Sequence, residues 1–333
     1  MIKILVKSLF VSLFLISCNK DISDNIENPQ VNTPEIQTEP TFNVIFTENI
    51  TYSYGLSHES VNSESITTMP LFMDSYVPEN DSENRPVMML IHGGGFFGGS
   101  KQQQAIVNIA NYFAERGWVV FSIDYRLKND YGTVPQEWID FSINVDPSSL
   151  AKFFAIYPAH RDAKAALRWI VANKNTYNIN SDYITVGGGS AGAVASIGIS
   201  VSDLEDYKNE ISIDEDNTLL STNLDQPFEV HTILDFWGSN NSIEILEYIY
   251  GKQCFDSNNP PIYIAHGTED TTVLFSKAEQ LRDIYEQNQV PYIFYELIGE
   301  GHGPWNATVE NIRLEELAFN FIVEQQELIQ ITN

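Results

Sequence analysis

Gly188-Gly189-Ser190-Ala191-Gly192 is the stretch of this chain best suited to chemistry. It follows a short apolar run, Tyr183-Ile184-Thr185-Val186-Gly187, and precedes a run of small residues that continues through Ile199. That order reads as strand, tight turn and helix, with Ser190 at the tip of the turn. Glycines two residues either side of the serine leave room for a strained backbone and for close approach of neighbouring chain, which a nucleophile elbow requires. The helix N-terminus behind the hydroxyl would favour negative charge developing there. Glycine and serine also cluster in plain loops, so the motif needs partners before it carries a function.

A serine hydroxyl is a weak nucleophile until a base takes its proton, so Ser190 requires a histidine that is itself oriented by a carboxylate. His266-Gly267-Thr268-Glu269-Asp270 follows the apolar run 261–265, and Gly299-Glu300-Gly301-His302-Gly303 follows the run 291–298. Both loops leave strands at the sheet edge where Ser190 is expected. Asp270 is favoured as the carboxylate by its place in the turn, with Glu269 and Asp256 as rivals. His302 is favoured as the base, with His266, which directly ends a strand, as its rival and the better candidate for simple packing. Ser190, Asp270, His302 is the chain order of α/β-hydrolases.

The elements that must position these groups alternate along the chain. Residues 42–46, 50–54 and 71–77 read as edge strands, and 87–91 reads as a strand buried on both faces. That strand ends in His92-Gly93-Gly94-Gly95-Phe96-Phe97-Gly98-Gly99-Ser100, a loop too glycine-rich to be chosen for stability. A helix over 105–116 is closed by Gly117, and 118–124 is another buried strand. The aromatic-rich insertion 125–158 leaves the carboxyl end of a strand, where ligands sit in open sheets, so part of it is expected to roof the site. Helices are expected over 159–175, 242–250, 275–289 and 309–327, and strands over 230–236, 261–265 and 291–297. These repeated units predict an α/β fold with one mostly parallel, doubly covered, eight-stranded sheet that begins with antiparallel strands.

His92-Gly93-Gly94-Gly95, Gly188-Gly189-Ser190-Ala191-Gly192, Gly267-Thr268-Glu269-Asp270 and Gly301-His302, in this order, resemble the esterase and lipase branch of the α/β-hydrolase fold. Within it, the chain is similar to bacterial carboxylesterases of the feruloyl-esterase-like (BD-FAE-type) and hormone-sensitive-lipase-like groups, from about Phe42 to the C-terminus. The resemblance implies a serine carboxylic ester hydrolase with no cofactor. In it Ser190 attacks the ester carbonyl, His302 takes its proton, Asp270 holds the imidazole, and the backbone N–H groups of Gly94, Gly95 and Ala191 form the oxyanion hole. Phe96, Phe97, Trp237 and Trp305 follow strands at that edge and are candidates for lining the acyl or alcohol pocket. The expected substrate is a small or polysaccharide-linked ester carrying acetyl or feruloyl-type acyl groups. Two other functions compete. A serine peptidase of the prolyl-oligopeptidase type shares sheet and triad, although the chain lacks room for the accompanying propeller. A surface binding protein that has lost catalysis would not need the intact motif set.

Composition bounds the rest. With 43% hydrophobic residues over 333, the chain can bury a large core, and 45 acidic against 18 basic residues give a formal net charge of −27. Such a field argues against a nucleic-acid partner. His58, His160 and His231 show no ligand spacing, so no metal site is expected, and His92 and Asp124 read as structural supports of the glycine loop and the Tyr125-Arg126 turn. The acidic stretch 203–216 lacks the glycine and terminal glutamate of a calcium-binding EF-hand loop and is expected to be a solvated loop. At the N-terminus, basic residues 1–7, an apolar run over 8–16 and Ser17-Cys18 read as a signal peptide (1–17) too short to span a membrane. Leu15-Ile16-Ser17-Cys18 resembles the lipobox of bacterial lipoproteins. That implies a lipidated Cys18, an exported protein anchored to the outer membrane by its lipid alone, a flexible tether over 18–41 and a catalytic domain over 42–333. Cys18 and Cys254 are the two cysteines, so no disulfide framework is expected and Cys254 reads as a buried structural thiol.

Overall fold

The structure is a computed structural model that describes residues 32–332. The expected signal peptide, Cys18 and the first part of the expected tether lie outside the described residues.

Val44–His58 (β1) and Ile66–Pro78 (β2) pair antiparallel along nearly their whole length. The three short strands expected here are therefore two long ones. Register shifts between Thr47 and Ile50 and between Thr51 and Ser53, with Asn49 at φ 58°, bend β1 without ending it, which is why its side-chain alternation breaks. Arg85–Ile91 (β3), Val119–Ile123 (β4), Ile179–Gly189 (β5), Thr232–Phe236 (β6), Ile262–Gly267 (β7) and Tyr292–Leu297 (β8) complete the sheet. Its order is β1-β2-β4-β3-β5-β6-β7-β8, parallel from β4 through β8, with β1 and β2 antiparallel at one edge.

Helices cover both faces: Gln104–Ala114 (α1), Leu150–Ala172 (α2), Ala191–Val201 (α3), Asn241–Tyr250 (α4), Phe275–Asn288 (α5) and Leu314–Gln325 (α6). The run in β3 shows why it had to be apolar throughout. Val87, Met89 and Ile91 pack into the core under α2 to α5, while Met88 and Leu90 pack into the core under α1 and α6.

Several elements depart from expectation for identifiable reasons. The helix expected over 159–175 begins at Leu150 and carries Pro158 inside it. Proline removes one hydrogen bond and typically costs about 3 kcal/mol there. Burial of Phe153 and Tyr157 against Trp138, with ring centroids 5.1 and 5.5 Å apart, offsets it. The helix expected over 309–327 starts at Leu314, because Glu310 and Asn311 at φ 54° and 68° turn the chain between two short antiparallel strands, Thr308–Val309 and Ile312–Arg313.

The stretch expected as tether is folded from Glu35. Glu35–Gln37 pairs parallel with Ile329–Ile331, and Ile36 is buried in the core under α1 and α6. The acidic segment is solvated on one side only, with Asp203, Glu205, Asp214 and Glu215 exposed. Tyr207, Ile211, Asp216 and Leu219 within and just after it are buried, Arg161 of α2 meets Asp216 at 3.2 Å, and Lys164 donates to the carbonyl oxygens of Asp203 and Asp206. Among the described residues, no group of three or more His, Cys, Asp or Glu side chains is placed to hold a metal ion. Among them, too, no helix is long and apolar enough to cross a membrane.

Asp235 on β6 is fully buried; Oδ1 accepts from the Gly238 amide at 2.6 Å, whereas Oδ2 has no hydrogen-bond partner. Burial pushes this carboxyl up from 3.8 to about 7. A raised acid keeps its full contribution below the unfolded value and loses it as pH rises through the folded one. Stability should fall by up to roughly 4 kcal/mol across that window from this group alone. Asp235→Asn is expected to remove that fall. Thermal unfolding followed at pH 4, 6 and 8 should show the variant gaining on the wild type as pH rises; a constant difference would contradict the assignment.

Candidate active site

Strand β5 ends at Gly189 and α3 begins at Ala191, leaving Ser190 alone in the turn at φ 56° and ψ −119°. A serine in this region is strained by about 1–3 kcal/mol, and the surroundings hold it there. Its amide donates to the Phe236 carbonyl at 2.9 Å, tying the turn to β6. A side chain at Gly192 would put its Cβ 2.0 Å from the Ile91 carbonyl oxygen, so the glycine is what allows α3 to start so close to β3.

The other two groups hang from the ends of β7 and β8. His302 Nε2 lies 2.9 Å from Ser190 Oγ, and His302 Nδ1 lies 2.7 Å from Asp270 Oδ2. Asp270 Oδ1 accepts from the amides of Thr272 and Val273 at 2.7 and 3.0 Å. Burial opposes the Asp270 charge, but the bonds from His302 and these amides outweigh it and hold the carboxyl below its ordinary value. An ionised Asp270 accepts from His302 Nδ1–H, which leaves Nε2 as the acceptor for the Ser190 proton.

The rivals fall elsewhere. Glu269 is exposed, and Asp256 turns its carboxylate onto Asn258. His266 is fully buried and kept neutral by that burial, and its Nε2 donates to the Val273 carbonyl at 2.8 Å. The same Nε2 also lies 3.3 Å from Asp270 Oδ2, the oxygen that His302 uses. Sequence spacing offered His266 and His302 as alternatives, whereas the structure puts both on one carboxylate.

The glycine loop folds back over the serine. Gly94, at φ 114°, accepts at its carbonyl from the amides of Phe97 and Gly98 (2.9 and 3.3 Å), and a Cβ on it would lie 2.0 Å from the Gly98 oxygen. His92 supports the loop by donating from Nδ1 to the Gly93 carbonyl at 2.7 Å and stacking on Tyr125 at 4.4 Å. Asp124 accepts from the Lys101 amide at 2.7 Å. The turn beyond it is held by a pair that sequence reasoning missed: Arg126 grips Asp162 of α2 through Nε and Nη2, both residues buried.

Gly94, Gly95, Ser190, Ala191 and His302 line one cavity of about 550 Å³. Phe96, Trp237 and Trp305 line it too, with the two tryptophans edge-on at 4.5 Å. Phe97 does not; it is exposed, with Lys128 Nζ 4.2 Å over its ring. Lys152 in the first turn of α2 reaches the cavity, while Trp138, Phe153 and Tyr157 pack in the core.

The family model BD-FAE matches residues 73–146 and 132–253, more than half of the chain. Carboxylesterase 1C of Rattus norvegicus is 32% identical over 158 residues, 47% of this chain and 26% of that protein. Esterase LipC of Mycobacterium tuberculosis is 26% identical over 247 residues, 66% of this chain and 53% of that one. The chain thus spans between about a quarter and a half of these curated relatives. Among solved structures, Thermogutta terrifontis esterase 2 phosphonylated by sarin superposes with a TM-score of 0.55 at 21% identity, covering 86% of this chain and 95% of that one. A truncated carbohydrate esterase from gut microbiota gives 0.56 at 19% identity, covering 88% and 99%. At these identities the structures speak for a shared architecture, and the family match for descent: the chain is a member of the BD-FAE family, built on the α/β-hydrolase fold.

Proposed function

We propose that this protein is a serine carboxylic ester hydrolase working through an acyl-enzyme. The observation that carries the reading is the unbroken relay from Ser190 Oγ through both nitrogens of His302 to Asp270, at 2.9 and 2.7 Å. Ser190 Oγ attacks the ester carbonyl carbon as its proton passes to His302 Nε2, and the carbonyl oxygen becomes an oxyanion facing the amides of Gly94, Gly95 and Ala191. Collapse breaks the bond to the alcohol oxygen, which takes the proton from Nε2 and leaves as alcohol. Water then gives its proton to Nε2, attacks the acyl-serine, and releases the acid with Ser190 restored.

The substrate reading is acyl groups, acetyl or feruloyl-type, carried on polysaccharide. A fold neighbour described as a carbohydrate esterase supports it, as does export through a lipidated Cys18 to the outer membrane, which we also propose. Purified protein is to be assayed on p-nitrophenyl acetate, methyl ferulate and acetylated xylan. Release of acetate or ferulate from the natural-type esters supports the reading. Turnover of the synthetic ester alone sinks the polysaccharide part, and no turnover at all sinks the esterase.

A further inference from the structure

A second cavity, of about 410 Å³, opens beside the one around Ser190. Its buried lining is Phe96 of the glycine loop, Phe153 and Ile156 of α2 and Val194 of α3; the rest includes Phe141 of the short helix Gln136–Phe141 and Ile245 and Tyr248 of α4. Phe96, Lys152, Val194 and Asn241 line both cavities, so the two adjoin along these four residues. Thr272, Leu274, His302 and Trp305 line the first and not the second. That asymmetry orients an ester. Its alcohol oxygen must lie within reach of His302 Nε2 to be protonated, and its carbonyl oxygen must face Gly94, Gly95 and Ala191. The remaining substituent on the carbonyl carbon is the acyl tail, which is left to run away from His302, past Phe96 and Val194.

What lines the path beyond that point is mostly apolar, with Ser149, Lys152, Asn241 and Glu244 as its polar members. Tyr248 is 73% exposed with its ring 5.0 Å from that of Phe141, so aromatic surface stands in water that a tail would displace. The acidic lining residue, Glu244, is already met by Lys277 at 3.1 Å and by Gln280 at 2.6 Å, which removes its objection to an apolar neighbour.

We propose that this groove is the acyl subsite and that it selects apolar tails of about six carbons or more, straight or aromatic, over acetyl. The inference rests on the esterase reading above and, of its two acyl classes, sets the feruloyl type above acetyl. Each methylene transferred from water into such a groove is worth a factor of about four. For a partly open groove, kcat/KM on p-nitrophenyl octanoate should exceed that on the acetate by about a hundredfold.

The test measures kcat/KM on p-nitrophenyl acetate, butyrate, octanoate and 3-phenylpropanoate for the wild type, Ile245→Trp and Tyr248→Ala. Labelling by a fluorophosphonate in each reports an intact serine. Filling the groove with Ile245→Trp is expected to lower the octanoate-to-acetate ratio about tenfold or more, and Tyr248→Ala, at an exposed position that tolerates change, about threefold. The octanoate and phenylpropanoate arms tell a straight tail from an aromatic one, and a gain on either supports the subsite. Rates flat with chain length, or ratios unchanged in both labelled variants, overturn the subsite and leave the esterase standing. A wild type that hydrolyses none of the four esters overturns both.

Discussion

Ser190→Ala is expected to lower kcat for ester hydrolysis by about 10⁴–10⁶-fold while leaving the unfolding free energy within about 0.5 kcal/mol of the wild type. The loss is large because the hydroxyl is the group that bonds to the acyl carbon; without it His302 and the oxyanion amides can at best assist a stray water. The fold should not notice. Ser190 is half-buried, its side chain bonds to His302, and an alanine Cβ occupies the same strained turn as the serine Cβ. The amide bond to Phe236 that ties the turn to β6 is untouched. Activity assays beside thermal melts check both halves, and a variant retaining more than about one hundredth of wild-type kcat would move the nucleophile elsewhere.

Asp270→Asn is the second large effect, expected at about 10⁴-fold in kcat. The amides of Thr272 and Val273 select an oxygen at the Oδ1 position, so the introduced NH₂ group would sit where Oδ2 now accepts from His302. It would then donate to Nδ1 and drive the imidazole proton onto Nε2, the wrong tautomer to receive a proton from Ser190. Geometry would stay intact while chemistry stops, a combination that distinguishes this variant from one that merely unfolds. Steady-state kinetics with a melt for each protein measure it; a loss below about tenfold would leave Asp270 a structural residue and give the orienting role to another group.

What the sequence revealed and what it hid divide along physical lines. Local signals survived where one short segment decides its own structure. The apolar run 87–91 read as a doubly buried strand because each of its faces meets a different core. The glycines around Ser190 were legible because no other residue fits where the Ile91 oxygen stands. Non-local decisions stayed hidden. Nothing near Glu35–Gln37 signals that its partner is Ile329–Ile331, almost the whole chain away. Pro158 looked like a helix boundary until aromatic packing against Trp138 outweighed it. In the acidic segment, the compensating Arg161 and Lys164 come from α2, some forty or more residues earlier. His266 could be ranked against His302 but not placed beside it, since the angle at which two loops leave adjacent strands is not written in either loop.

The most direct measurement is where a fluorophosphonate attaches to the folded protein, found by peptide mass spectrometry. A serine activated by His302 and Asp270 should take up about one adduct per chain, on Ser190, with labelling slowed by orders of magnitude in His302→Ala. A folded wild type that stays unlabelled, or an adduct carried on a different residue, would contradict the relay on which the account stands.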